Sequence, residues 1–177
     1  MPKKFYIYAP YVVSLLVAAI FSLIRDSTFF ASDAASQWVG FVGRWIPMVS
    51  DLNTATNYSI FIAVAHSVFW FFIPFMVWCG WQVIKRATPA AKAVFFTRNS
   101  PVKRGLVYIV VSIMALCAFV FALPAEHRGT NVPYVYTGFI GMSIDFLLQA
   151  FVFFMLGIIA RYALVEQRHF LNTKQGA

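Results

Sequence analysis

Residues 133–160, PYVYTGFIGMSIDFLLQAFVFFMLGIIA, contain one charged side chain, that of Asp145. At about 1.5 Å per residue, a helix of this length crosses the roughly 30 Å hydrocarbon core of a bilayer. Three further apolar blocks precede it, at residues 5–24, 58–84 and 106–123. We therefore predict an all-α integral membrane protein whose residues 1–177 form a single domain of four transmembrane helices.

The composition excludes a water-soluble domain. Of the 177 residues, 61% are apolar and only 11% are charged, and the mean hydropathy is +0.75. A soluble domain carries roughly 25% charged residues, and a small fold exposes too much surface to hide so many apolar side chains. Cys79 and Cys117 lie inside apolar blocks without CxxC spacing, which indicates packing residues. Pro74 predicts a kink in the second block.

Lysine and arginine are distributed asymmetrically between the segments that join the blocks. Only Arg25, Arg44 and Arg128 lie after the first or the third block. The other basic residues lie before the first block, between the second and third, or after the fourth: Lys3, Lys4, Lys85, Arg86, Lys92, Arg98, Lys103, Arg104, Arg161, Arg168 and Lys174. The positive-inside rule makes these segments cytoplasmic, so both termini are predicted inside. The net charge of +8 then reflects membrane orientation, and no nucleic-acid partner is predicted.

A cleaved signal peptide is the alternative interpretation of the first block. Basic residues, an apolar stretch and the small residues around Asp33 resemble its three parts. The apolar stretch is longer than the usual 7–15 residues, however, and Arg25 and Asp26 interrupt it before a cleavage site. Cleavage would leave three helices and place the new N-terminus outside.

The segment between the first two blocks predicts a short amphipathic helix. Asp33 is the expected N-cap, and Pro47 is expected to end the helix. Trp38 and Trp45 recur at helical spacing, which predicts an interfacial anchor with its apolar side in the headgroup region of the membrane. The alternative is a helix that docks a partner on the outer side.

Two further helical segments are expected on the inner side. Thr88 and Pro89 are typical of a helix start, and Pro101 is expected to end this short basic helix on the inner leaflet. The third transmembrane helix is expected to begin near Leu106. The fourth is expected to end at Arg161, with the polar tail continuing it only briefly.

A search for catalytic patterns is negative. The chain contains no GxSxG, HExxH or Walker-type glycine loop. Its three histidines, His66, His127 and His169, fall in three different segments, so one chain cannot supply a bis-histidine haem site. We therefore predict no enzyme activity, no metal and no cofactor.

One intramembrane feature stands out. A carboxylate near the bilayer centre costs about 2.5–3.5 kcal/mol on insertion scales and normally faces a bundle or a water-filled cavity. Asp145 shares a helical stripe with Gly138, Gly141 and Gln149, since the steps between them are three, four and four. The glycines predict close helix packing and the polar residues predict an internal contact.

His66, in the second block at a similar depth, is the expected partner of Asp145, with Ser67 and Gln149 as secondary hydrogen-bonding groups. Three interpretations stay open for this polar cluster. The first is a buried polar contact that fixes helix register, and the second is a proton or ion site. In the third, Asp145 points outward to a basic or polar group of another membrane protein.

We therefore predict a non-catalytic multi-pass protein of a bacterial inner membrane that acts by lateral helix contact with another integral membrane protein or with itself. Such a protein is a subunit of a secretion, conjugation or respiratory assembly, or an immunity or exclusion factor. The alternative is a small homo-oligomeric transporter or proton-coupled channel that uses Asp145 and His66.

Overall fold

The computed structural model describes residues 2–55, 59–120 and 139–175, and these residues form helices and turns without a strand. The helices are α1 Lys3–Ile24, α2 Asp33–Gly43, α3 Pro47–Ala55, α4 Ser59–Trp70, α5 Ile73–Lys85, α6 Pro89–Arg98, α7 Pro101–Val120, α8 Phe139–Arg161 and α9 Gln167–Gln175. A 3₁₀ turn at Thr28–Ala31 precedes α2, and a π-helical segment at Tyr162–Glu166 joins α8 to α9.

Four helical stretches are long and apolar enough to cross a membrane, as the four apolar blocks predict. They are Lys3–Ile24, Ile60–Lys85, Pro101–Val120 and Phe139–Asn172. The second stretch contains both α4 and α5. The residues 121–138, where the third block ends and the fourth begins, lie outside the described part of the chain.

The break predicted at Pro74 is present between α4 and α5. The backbone N–H groups of Phe71 and Phe72 bond to the carbonyls three residues earlier, at 3.2 and 2.9 Å, instead of four. Pro74 has no N–H to continue the helical pattern. The second apolar block is therefore helical on both sides of a two-residue break at Phe71 and Phe72.

Several predicted helix boundaries are wrong. The Ser32 side chain, not that of Asp33, caps α2 by accepting a hydrogen bond from Ala35 N at 3.3 Å. Pro47 opens α3 instead of only ending a helix, because proline fits the first helical position, where no N–H is needed. The segment after the first block thus contains two helices.

The third long helix begins earlier than predicted, at Pro101. Its first turn includes Arg104, which is buried and donates to the carbonyls of Phe96 and Asn99 at 3.1 and 2.7 Å. A cation at the carboxyl end of α6 is favourable because the last carbonyls there are unpaired within the helix. The predicted start of α6 is present, with the Thr88 side chain capping Ala91 N.

The fourth long helix does not end at Arg161. Helical backbone continues through the π-helical segment and α9 to Gln175. The polar tail therefore extends the helix much further than the brief continuation predicted from its composition.

The described residues group into two compact units. The His66 unit contains Tyr11–Ile73 and Leu116–Ala150, and the Tyr162 unit contains Met1–Pro10, Pro74–Ala115 and Phe151–Ala177. The expectation of a single four-helix domain stays a prediction.

In the His66 unit, α4 is the central element. Nearly every α4 side chain from Phe61 to Trp70 is buried. Helices α2 and α3 pack against each other and against α4. From α8, the Phe146 ring stacks on that of Phe69 with centroids 4.4 Å apart. This packing positions α4 and α8 for the polar contact described below.

In the Tyr162 unit, aromatic rings form much of the core. The Tyr162 ring stacks on Phe95 of α6 with centroids 4.2 Å apart, and Phe96 stacks on Phe170 of α9 at 4.9 Å. Helix α6, which the sequence predicts as a short basic helix on the inner leaflet, therefore directs its two phenylalanines toward protein.

Candidate functional site

The His66 unit brings together the two ionisable side chains that the sequence places inside apolar blocks. His66 Nε2 of α4 lies 2.6 Å from Asp145 Oδ2 of α8. His66 is 1% exposed and Asp145 is 6% exposed, so neither reaches solvent or lipid to any extent. The hypothesis that Asp145 points outward toward another protein does not fit this geometry.

The other imidazole nitrogen has a backbone partner. His66 Nδ1 lies 2.9 Å from the carbonyl oxygen of Ile62, one turn earlier in α4. The ring also meets the Phe146 ring edge-on, with centroids 5.0 Å apart. These contacts hold the orientation of the imidazole, and the carbonyl oxygen, which can only accept, makes Nδ1 the donor of its hydrogen bond.

Gln149 completes the cluster from the same face of α8. Its Nε2 donates to Asp145 Oδ1 at 3.1 Å, which the spacing of four residues allows. Gln149 is 1% exposed, and its Oε1 has no hydrogen-bond partner among the described residues. Both oxygens of Asp145 are thus engaged, one by each neighbour.

Ser67 belongs to a different contact. Its Oγ donates to the Val64 carbonyl at 2.7 Å and accepts from Trp38 Nε1 of α2, also at 2.7 Å. Consecutive residues of an α-helix are about 100° apart around its axis, so Ser67 faces α2 while His66 faces α8. The predicted role of Ser67 beside Asp145 is therefore wrong.

The two tryptophans predicted as an interfacial anchor are exposed, Trp38 on α2 and Trp45 on the turn that follows it. Trp45 is 72% exposed, and Trp38 and Phe41 are also exposed, whereas Val39 and Val42 are buried against protein. The apolar residues of this segment are thus divided between a protein-facing side and an exposed aromatic side. The anchor itself stays a prediction.

The glycines predicted to permit close packing are only partly described. Gly138 lies outside the described residues, and Gly141 is buried. The close approach that the structure describes is elsewhere, in the Tyr162 unit. A Cβ on Gly80 of α5 would overlap the Phe154 carbonyl oxygen of α8, and one on Gly157 of α8 would overlap that of Val77. Glycines inside apolar helices are the sequence signal for such a contact.

The Tyr162 unit also contains an ionic cluster that the sequence analysis missed. Glu166 Oε1 accepts from Lys92 Nζ of α6 at 3.0 Å and from Arg161 Nε of α8 at 2.9 Å. The Arg161 guanidinium also lies over the Trp81 ring, 5.1 Å from its centroid. Arg161 and Glu166 are five residues apart, but nothing in the sequence indicates that Lys92 joins them.

Other reactive groups are dispersed. Cys79 is buried, Cys117 is exposed on α7, and neither forms a disulfide. His127 lies outside the described residues. Within the described residues, no three His, Cys, Asp or Glu side chains lie close enough together to hold a metal ion.

Comparison of the chain with protein-family models, with curated proteins and with solved structures finds no match. The functional argument therefore rests on the chain's own residues. Among the described residues, the buried polar contact of His66, Asp145 and Gln149 joins α4 to α8.

Proposed function

We propose that this chain is a multi-pass protein of a bacterial inner membrane that acts by lateral helix contact with another integral membrane protein. The four apolar helices support membrane insertion. The concentration of basic residues before α1, between α5 and α7, and after α8 supports a topology with both termini in the cytoplasm. The exposed aromatic side of Trp38, Phe41 and Trp45 supports an interfacial anchor on the outer side.

The exposed surface of α7 is the observation that carries the proposal. In the most apolar stretch of α7 only 17% of the residues are buried, against 56% in the stretches that contain α4–α5 and α8. Leu106, Ile109, Ile113 and Leu116 are among its exposed side chains. Because Asp145 is bonded within the His66 unit, α7 and not Asp145 is the surface offered to a partner.

The chemistry of α7 supports an apolar transmembrane helix as the partner. From Gly105 to Val120 the helix has no charged side chain, so a charged partner helix would find no counter-charge there. Helices in lipid associate through van der Waals packing and close fit, because lipid tails are as apolar as the side chains. The partner must therefore be recognised by shape along α7.

Cys117 provides the test, because it is exposed on α7 while Cys79 is buried. A photoreactive maleimide attached to Cys117 in intact membranes should produce one discrete protein adduct, identified by mass spectrometry. An added mass of 20.0 kDa would identify a second copy of this chain, and another defined mass a different protein. Ile113→Trp, one turn away on α7, should abolish the adduct without changing membrane insertion.

Leu148→Cys in a Cys117→Ser background is the matched control, because Leu148 is an exposed residue of α8. It should give no discrete adduct. Labelling of lipid alone from Cys117 would contradict lateral contact, and an adduct from Leu148→Cys alone would contradict the assignment to α7.

A second candidate function is a small homo-oligomeric transporter or proton-coupled channel, favoured by the 2.6 Å contact of His66 with Asp145. Intramembrane Asp and His residues recur in proton relays. Purified protein in liposomes should then show pH-dependent ion flux that Asp145→Asn removes. Absence of flux across a panel of cations and anions would exclude this candidate.

A further inference from the structure

The hydrogen bonds of His66 determine where its protons lie. A carbonyl oxygen can only accept a hydrogen bond, so the 2.9 Å contact with the Ile62 carbonyl requires a proton on His66 Nδ1. In a neutral imidazole the other nitrogen, Nε2, is then an acceptor without a proton. That nitrogen is the one that faces Asp145.

The contact between the imidazole and the carboxyl group therefore needs one more proton. An unprotonated Nε2 and a carboxylate oxygen are both acceptors and would repel each other at 2.6 Å. One proton between them removes the conflict. The pair is then either imidazolium with carboxylate or imidazole with carboxylic acid, and its net charge is zero in both forms.

We infer that His66 and Asp145 form an intramembrane proton-binding site that holds one proton between Nε2 and Oδ2 and keeps the pair electrically neutral. Gln149 is a positioning residue, because its N–H donation to Oδ1 at 3.1 Å directs Oδ2 toward the imidazole. This inference does not depend on lateral contact or on transport, since the proton is held whether it is later released or stays.

The surroundings favour retention of the proton. The described groups that hydrogen-bond to the pair or contact its ring edge-on are the Phe146 ring, the Gln149 amide and the Ile62 carbonyl, and none of these groups is charged. Among the described residues, no other charged side chain bonds to either partner. Loss of the proton would leave an uncompensated negative charge in an apolar interior, which is strongly unfavourable.

The test uses a protein in which His66 is the only histidine, obtained by His127→Gln and His169→Gln. Nitrogen-15 NMR of labelled histidine in lipid bilayers reports the protonation of each ring nitrogen. We expect a proton on Nδ1 and a strongly hydrogen-bonded Nε2 that shares a second proton with Asp145.

If the His66 Nε2 signal shows no shared proton, the inference is wrong. A His66 ring that has no proton on Nδ1 would also overturn it.

The variant Asp145→Asn removes the shared proton while it keeps the side-chain shape and the hydrogen bonds of the site. An asparagine amide can donate to His66 Nε2 and accept from Gln149, so it imitates the protonated acid without the shared proton. We expect His66 to keep its Nδ1 proton in this variant and Nε2 to lose the signature of a shared proton. A wild-type Nε2 signal in Asp145→Asn would contradict a proton held by the pair, and transfer of the ring proton to Nε2 would contradict the role of the Ile62 carbonyl.

Discussion

Helix α8 contacts α4 in the His66 unit and α5 in the Tyr162 unit, and the two contacts differ in kind. In the His66 unit its contact with α4 is polar, between Asp145 and His66. In the Tyr162 unit its contact with α5 is steric, between the backbones at Gly157 and Gly80. The first depends on a hydrogen bond between side chains. The second depends on the absence of side chains.

The difference matters because the two contacts tolerate change differently. Hydrogen bonds between membrane helices contribute on average about 0.6 kcal/mol and at most about 1.7 kcal/mol in double-mutant cycles. A polar side chain can also be replaced by another of similar shape. A backbone approach that excludes even a methyl group has no such substitute. The less conspicuous contact should therefore be the more sensitive one.

Gly157→Ala should have the largest effect. The new Cβ would overlap the Val77 carbonyl oxygen, so α5 and α8 must separate. We expect a loss of about 1–3 kcal/mol in the free energy of unfolding, measured by denaturant titration in detergent. Gly105→Ala on α7, where the space around the new Cβ is open, is the control and should be neutral or slightly stabilising. Equal stability of Gly157→Ala and wild type would show that the steric contact is not the tighter one.

His66→Leu should have the next largest effect. It removes the Asp145 partner and leaves the carboxyl group with Gln149 alone. We expect a loss of about 1.7 kcal/mol, the upper end of measured membrane hydrogen bonds, in the same unfolding titration. The exposed His169→Leu should change the stability little. A loss larger than that of Gly157→Ala would reverse the ranking of the two contacts.

Glu166→Gln tests how a charged cluster differs from a neutral pair. Lys92 and Arg161 would lose their common carboxylate while the side-chain shape is kept. Since all three side chains are largely buried, salt screens their charges only weakly, and we expect a loss of about 1 kcal/mol that changes little as salt is added. The exposed pair Arg25–Asp26, broken by Asp26→Asn, should give no measurable loss. A Glu166→Gln loss no larger than that of Asp26→Asn would contradict a stabilising role of the buried cluster.

The sequence predicts the four apolar helices well, because their length and composition are set by the bilayer. It predicts helix ends less well. The cap at Ser32 instead of Asp33 and the early start at Pro101 depend on local side-chain geometry. The continuation past Arg161 depends on packing of Tyr162 and Phe170 against α6, which no local pattern reveals.

The candidate site also contains some contacts that the sequence predicts and others that only the structure shows. Asp145 and Gln149 can be placed together from their spacing, and His66 is the natural partner at that depth. The pairing of α4 with α8 is a guess at the sequence level, because depth does not specify neighbours. The meeting of Lys92 with Glu166 and that of Gly80 with Gly157 join residues more than 70 positions apart, so only the three-dimensional structure shows them.

Trp38→Phe should have the smallest effect. It tests whether a hydrogen bond also stabilises the contact between α2 and α4. The variant keeps an aromatic ring but loses the N–H that donates to Ser67 Oγ at 2.7 Å. We expect a loss of about 0.6 kcal/mol in the unfolding titration, the average for a membrane hydrogen bond, and none for Trp45→Phe, which is far more exposed. If Trp38→Phe costs nothing, α2 is held on α4 by buried side chains such as Val39 and Val42 alone. The contact of α2 with α4 would then resemble that of α5 with α8, in which shape and not hydrogen bonding holds the helices together.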